Sequence, residues 1–311
     1  MPRALLLLAL LPIASPLQAA APPPAVRETF DVRYHPGKGR QLLDVFAPAP
    51  SGKVPCPVVL FVHGGTWMVG DKDHGGRIRA VGRSLARQGY VAVLINYRLS
   101  PGVKHPAHVK DVARAFAWVR KNVAGYGGDP DHIVLAGHSA GGHLVTLLVT
   151  DESYLDADAR KAIRAVVSLS GVYRVPNAEE FQAMANAAID HLVGEDGSFM
   201  RSTLFAFSTK VNPFRMVFGD DPDVRKKASP ICHVRKGLPP MLLLTAESEV
   251  FGLRDMTTDF AKVLRKHGNL VEVAEIEDTT HRTILHQLRA RDSDASKIVR
   301  AFLARHVPGK P

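Results

Sequence analysis

Ser139 lies in the stretch Ile133–Leu144, I-V-L-A-G-H-S-A-G-G-H-L, where a short apolar run passes through G-x-S-x-G into a helical pattern. A serine hydroxyl is a poor nucleophile until it is aimed and deprotonated, and a strand-to-helix elbow does the aiming. Gly137 and Gly141 flank the serine where the turn leaves no room for side chains, and the serine itself is expected in a strained backbone conformation. A helix that starts at the serine turns its N-terminal dipole and the free amide of Ala140 toward negative charge forming on a substrate. A bare G-x-S-x-G also occurs in glycine-rich turns that do no chemistry. Val134–Leu135–Ala136 before the motif, and Gly142 with Leu144, Leu147 and Leu148 after it, favour the nucleophile.

Such a serine needs donors for an oxyanion, and a candidate set lies upstream. Residues 58–67 read V-V-L-F-V-H-G-G-T-W, a second buried-strand pattern that ends in two glycines. In enzymes with a nucleophile elbow, the loop after the neighbouring strand supplies the second backbone donor, and glycine lets that backbone approach the substrate. The expected oxyanion hole is Gly64, Gly65, Thr66 and Ala140: the amides of Gly65, Thr66 and Ala140 donate, and Gly64 mainly shapes the loop. His63 opens the loop and is expected as a buried hydrogen-bonding strut rather than a base.

These motifs come with G-D-K at 70–72, N-Y-R-L-S-P at 96–101, G-G-D-P at 127–130, S-P-I at 229–231 and P-P-M-L-L-L at 239–244. Together they resemble the α/β-hydrolase superfamily, specifically the carboxylesterase branch of hormone-sensitive-lipase-like, acetyl-esterase-like and kynurenine-formamidase-like enzymes. The resemblance runs from about residue 40 to 305, and the stretch 174–215 matches nothing in it. It implies an α/β fold with a mostly parallel eight-stranded sheet flanked by helices and a helical cap insertion over 172–228. It also implies the chain order serine, acid, histidine.

Beyond Ser139, His281 stands in E-D-T-T-H-R-T-I, a polar segment after the alternating stretch Val271–Ile276. A loop after the last strand carries a base over the sheet edge, so His281 is favoured. His286 falls inside the following helical pattern, His143 reads as core, and His267 reads as the C-terminal residue of a helix. For the acid, the resemblance places a carboxylate in the turn after Met241–Leu244, three residues beyond the small residue Ala246, which is Glu249. Most relatives carry aspartate there; glutamate serves if its backbone sits slightly further back, since it need only accept the histidine Nδ1–H. Glu247 is the rival, Asp255 suits a helix cap, and Asp278 suits a solvated turn.

The rest of the chain must position these groups. Its 311 residues are 46% hydrophobic and 23% charged without repeats, which fits one large globular domain over residues 21–311. Apolar runs near 29–34, 41–46, 58–62, 91–95, 133–136, 165–169, 241–245 and 271–276 predict strands alternating with helices, and Val109, Val112, Ala113, Phe116 and Val119 predict a helix over 106–123. Active groups then belong beyond the C-terminal ends of parallel strands. Residues 1–20 combine Arg3, an apolar run from Ala4 to Ala14 and a small-residue region, the pattern of a secretory signal cleaved between Ala19 and Ala21. A periplasmic or secreted protein is expected. Cys56 and Cys232 precede strands that the resemblance separates by two others, about 14 Å apart and beyond disulfide reach.

The formal charge of +10 comes from dispersed basic residues with no nucleic-acid motif, so a solvated basic surface is expected. No metal or nucleotide motif appears, and no cofactor and no membrane insertion are expected. The apolar residues of the insertion (Phe181, Met184, Ile189, Leu192, Phe199, Leu204, Phe205, Phe207, Phe214, Met216 and Phe218) either pack it onto the sheet or roof the site. These features together point to an exported serine carboxylesterase acting on a small-molecule ester through Ser139, His281 and Glu249. An amidase or arylformamidase of the same fold is the alternative reaction, and a non-catalytic binding protein on this fold is the alternative class.

Overall fold

The computed structural model describes residues 25–37, 39–49, 54–193, 212–250 and 252–307. The signal-like segment 1–20, the apolar Phe199, Leu204, Phe205 and Phe207, and the side chains of Ile189 and Leu192 lie outside the described residues.

Eight strands form one sheet: β1 Val26–Arg33, β2 Leu42–Pro48, β3 Cys56–Val62, β4 Val91–Ile95, β5 Gly128–His138, β6 Ile163–Leu169, β7 Met241–Ser248 and β8 Val271–Thr280. Their spatial order is β1-β2-β4-β3-β5-β6-β7-β8. The pairs β1–β2 and β2–β4 are antiparallel, and every pair from β4 to β8 is parallel. The expected mostly parallel eight-stranded α/β sheet is therefore present. Its central strands are near-continuous apolar runs because both faces are covered. In β3, Val58, Leu60 and Val62 join the core on one face, while Val59 and Phe61 join the core on the other.

Helices α1 (Arg77–Arg87) and α10 (Asp294–His306) cover one face through Ile78, Val81, Leu85, Val299, Phe302 and Leu303. Helices α2 (Ala107–Asn122), α3 (Ala140–Thr150) and α8 (Leu253–Lys266) cover the other through Val109, Val112, Phe116, Leu144, Leu147, Phe260 and Leu264. Between α3 and β6 lies the single turn α4 (Ala157–Lys161). The insertion supplies α5 (Ala178–Val193), α6 (Pro213–Phe218) and α7 (Pro222–Lys227), and α9 (Ile284–Gln287) follows β8.

Most strands run a few residues past their sequence-based bounds, and three of them show why. The edge strand β1 starts three residues earlier than expected, because Arg27 and Glu28 near its start are exposed and polar. β5 reaches back through the polar G-D-P-D-H by pairing Gly128 with Cys56 across an irregularity. β8 continues to Thr280 rather than ending near Ile276. After a shift in register it pairs Thr280 with Ser248, and Asp278 takes a positive φ of 54° at the irregularity. The expected polar loop is thus largely strand, and His281 is the first residue beyond it.

Among the described residues no helix is long and apolar enough to cross a membrane. Cys56 and Cys232 are both free, with β5 and β6 between β3, which Cys56 begins, and β7, which Cys232 precedes.

Candidate active site

Four parallel strands end along one edge, and a site residue follows each. His63 to Thr66 follow β3, Ser139 follows β5, Glu249 follows β7 and His281 follows β8. This is the edge at which open α/β sheets place ligands.

Ser139 has φ 55° and ψ −119°, a strained backbone for a residue with a Cβ. The turn is tight in the way the glycines imply. A Cβ on Gly137 would stand 2.4 Å from Gly141 O, and one on Gly141 would stand 2.0 Å from Val62 O. The reason for glycine at these two positions is close packing rather than an unusual φ.

From Ser139 a chain of hydrogen bonds runs across the sheet edge. The Ser139 hydroxyl lies 3.0 Å from His281 Nε2, and His281 Nδ1 lies 2.9 Å from Glu249 Oε2. The other carboxylate oxygen of Glu249 accepts from the Ala246 amide at 3.0 Å and from the Ser170 hydroxyl in a short contact. Burial alone would raise the Glu249 pKa, but the hydrogen bonds from His281, Ser170 and Ala246 outweigh it and hold the carboxyl below its ordinary range. The side chain is only 4% exposed, so it carries a buried, fully partnered negative charge.

Ser170 and His138 were not singled out by sequence. Ser170 directly follows β6 and has a positive φ of 48°; its amide donates to Leu244 O at 2.7 Å while its hydroxyl reaches Glu249. A small hydroxyl residue at the C-terminal end of an apolar strand was the signal available. His138 precedes the serine, and its Nε2–H donates to the carbonyl oxygen of His281 at 2.7 Å. Burial first, and then the nearby His281 ring, depress the His138 pKa to about 4. It is therefore neutral near pH 7 and tethers the backbone of His281. A further bond, from the His281 amide to Ser248 O at 3.1 Å, fixes the same residue from β7.

The rival residues lie elsewhere. Glu247 accepts from the Asp278 amide at 2.7 Å, so both serve the irregular strand pair. Asp255 sits exposed in the first turn of α8. His286 lies in α9, and His267 ends α8 with Nδ1 2.9 Å from Val263 O. His63 is buried against Tyr97 with ring centroids 4.5 Å apart, and burial depresses it to about 4. His143 is also core: Trp67 Nε1–H donates to its Nδ1 at 3.1 Å, and its Nε2–H donates to Ala228 O at 2.7 Å.

That Trp67 bond anchors the H-G-G-T-W loop to α3. Gly65 has φ 118°, and a Cβ there would meet Val69 O at 2.2 Å. Thr66 and Trp67 also have positive φ, 49° and 58°. The loop amides of Gly65 and Thr66 make no hydrogen bond within the described protein. Ala140, first residue of α3, has no intrahelical acceptor for its N–H. Gly64 packs against the elbow, where a Cβ would lie 2.9 Å from His138 Nδ1 and 3.1 Å from the Ser139 Cβ.

Several motif residues outside the reacting group are struts for these loops. Asn96 accepts from the Lys72 amide and donates to Asp71, each at 2.7 Å. Lys72 pairs with buried Asp44 at 2.8 Å, and Arg98 grips fully buried Asp111 through two contacts of 2.8 Å.

In front of Ser139 lies a cleft of about 670 Å³ lined by the oxyanion loop, His138, His281, the start of α1 and residues 280–286. None of its described lining residues comes from the insertion. Phe214 and Phe218 instead pack on Trp67 with centroids 5.7 and 4.9 Å away, and Phe181 packs on Phe214. These apolar residues fasten the insertion to the sheet domain.

The BD-FAE family matches residues 43–251. Esterase LipQ of Mycobacterium tuberculosis is 34% identical over 263 residues, covering 82% of this chain and 57% of LipQ. Isoprenylcysteine alpha-carbonyl methylesterase ICME of Arabidopsis thaliana is 25% identical over 254 residues, covering 80% of this chain and 55% of that protein. The chain thus spans little more than half the length of either. Among solved structures, esterase B from Lactobacillus rhamnosis superimposes with a TM-score of 0.68 at 22% identity, covering 90% of this chain and 87% of that one. Thermogutta terrifontis esterase 2, phosphoramylated by tabun, has a TM-score of 0.62 at 22% identity, covering 93% and 97%. Both share the fold.

Proposed function

The chain belongs to the BD-FAE family of α/β-hydrolase carboxylesterases, and we propose that it hydrolyses carboxylic esters through a Ser139–His281–Glu249 triad. The observation that carries this reading is the unbroken hydrogen-bonded chain from the Ser139 hydroxyl through His281 to Glu249. Gly65 and Thr66, whose amides are unpartnered, line the same cleft as Ser139 and His281, and Ala140 directly follows the serine at the start of α3.

In this mechanism the bond from His281 Nδ1–H to Glu249 leaves Nε2 as the lone-pair nitrogen, which takes the proton of Ser139 as its oxygen attacks the ester carbonyl. The carbonyl oxygen becomes an oxyanion held by the three amides; one such donor is worth about 3–4 kcal/mol in serine hydrolases. His281 then returns the proton to the departing alcohol. Water, deprotonated by the same histidine, cleaves the acyl-enzyme and regenerates Ser139. Glu249 stays ionised throughout and stabilises the imidazolium, a role suited to its depressed pKa.

We read the protein as exported, on the composition of residues 1–20; N-terminal sequencing of the protein from fractionated cells tests this. The reaction is tested with Ser139→Ala, which should abolish both ester hydrolysis and fluorophosphonate labelling with the fold intact. Near wild-type activity in that variant would refute the assignment. Screening p-nitrophenyl esters of increasing chain length alongside N-formylkynurenine separates the esterase reading from the arylformamidase one. Short- to medium-chain or aryl esters should be preferred, with no jump in rate above the micellar limit of the substrate.

A further inference from the structure

The cleft in front of Ser139 contains two arginines, Arg77 at the start of α1 and Arg282 immediately after His281. Among the described residues neither guanidinium meets a carboxylate or a carbonyl. Arg40, Arg79, Arg83, Arg98 and Arg114, by contrast, are all ion-paired. An isolated exposed arginine is ordinary. Two that line one cleft, beside a nucleophile and without counter-charges, are not explained by solvation alone.

Two further observations point the same way. The two guanidinium groups act on one spot: after burial and Arg289, it is Arg77 and Arg282 that push the His286 imidazole below its ordinary pKa. The one carboxylate among the lining residues, Asp71, is already engaged by Asn96 at 2.7 Å, the Asp73 amide at 2.9 Å and Arg40 at 3.4 Å.

We propose that this cleft takes esters bearing a second, free carboxylate, which Arg77 and Arg282 hold while the ester carbonyl lies at Ser139. Guanidinium is the natural partner for such a group, because its parallel N–H donors match the two carboxylate oxygens. The inference rests on the esterase reading above. It adds the class of substrate.

The test compares kcat/KM for charged esters and neutral esters of the same shape. Mono-p-nitrophenyl adipate against p-nitrophenyl 6-methylheptanoate places the charge in the acyl group. 4-Acetoxybenzoate against 4-isopropylphenyl acetate places it in the leaving group. For at least one pair, the charged-to-neutral ratio should fall about 5-fold or more in Arg77→Gln and in Arg282→Gln, and about 20-fold or more in the double variant. The rate on the neutral ester normalises each variant, so that only the charged-to-neutral ratio is read. Raising ionic strength from about 0.02 to 0.5 M should compress the wild-type ratio toward that of the double variant. A double variant whose ratios stay within about 2-fold of wild type for both pairs would overturn the inference and leave the esterase reading standing. If no ester is turned over, the esterase reading fails, and calorimetric binding of adipic acid monoanilide decides the inference separately. Affinity weakened about 5-fold or more in the double variant supports it, and unchanged affinity or no binding overturns it.

Discussion

Replacing Glu249 by glutamine tests the least usual member of the constellation, and its effect can be worked out atom by atom. In the wild type, Oε1 accepts from the Ala246 amide and the Ser170 hydroxyl, while Oε2 accepts from His281 Nδ1–H. A glutamine amide must choose an orientation. The backbone N–H of Ala246 cannot become an acceptor, so the amide oxygen takes the Oε1 site and the NH₂ group faces His281. Nδ1 must then act as acceptor, which moves the imidazole proton to Nε2, the nitrogen that has to accept the proton of Ser139. The variant therefore holds the histidine in the unproductive tautomer and also loses the charge that stabilises the imidazolium. Loss of the orienting carboxylate in a serine protease costs about 10⁴ in kcat. Here kcat should fall about 10³- to 10⁴-fold, or about 4–5.5 kcal/mol of transition-state stabilisation. Steady-state hydrolysis of a p-nitrophenyl ester measures it, with circular dichroism to check the fold. Glu247→Gln, which touches only the Asp278 amide among these groups, should change kcat by less than about 3-fold. Should Glu249→Gln keep more than about a tenth of wild-type activity, or Glu247→Gln prove the more damaging, the tautomer argument fails.

Ser170→Ala should lower kcat about 10-fold with KM little changed, because it removes one donor to the Glu249 carboxylate without touching substrate. The same change should alter acid stability. The depressed pKa of Glu249 contributes stability that is present above the unfolded value of about 4.3 and lost as pH falls through the folded value, so loss of Ser170 should move acid unfolding to higher pH; an unmoved acid midpoint refutes this. Asp111→Asn should destabilise the fold by about 1.5–3 kcal/mol, since it removes the buried charge that Arg98 and Arg114, themselves partly exposed, bond to. Urea unfolding with an unchanged m-value reads that cost, and a loss under about 1 kcal/mol would show the pairs to be dispensable.

Sequence by itself determined those features that depend on local pattern. The apolar runs fixed the inner strands closely, because a strand buried on both faces must be apolar at every position, as β3 and β4 are. The elbow glycines were legible because only glycine permits the close approaches at Gly137 and Gly141. Ser139, His281 and the H-G-G-T-W loop stood out because their immediate neighbours carry the turn geometry. Where polar backbone is ordered by pairing with a distant strand, the pattern is silent. This is why the extensions of β5 and β8 were missed, and with them the fact that a strand rather than a loop delivers His281.

Tertiary structure alone decided the partners. Glu249 and Glu247 differ by two positions at the end of β7, and nothing in the local sequence separates them. Only the fold shows Glu249 turned toward His281 and Glu247 toward Asp278. Ser170 and His138 acquire meaning because β6 lies beside β7 and because the chain after β8 folds back onto the elbow. The same holds for Arg77 and Arg282, which lie on separate elements and come to line one cleft only in the fold. The physical reason is common to all of them. Hydrogen bonds and charges act over a few ångströms in space, and only the folded sheet, with its strand order out of chain order, brings those groups within that range.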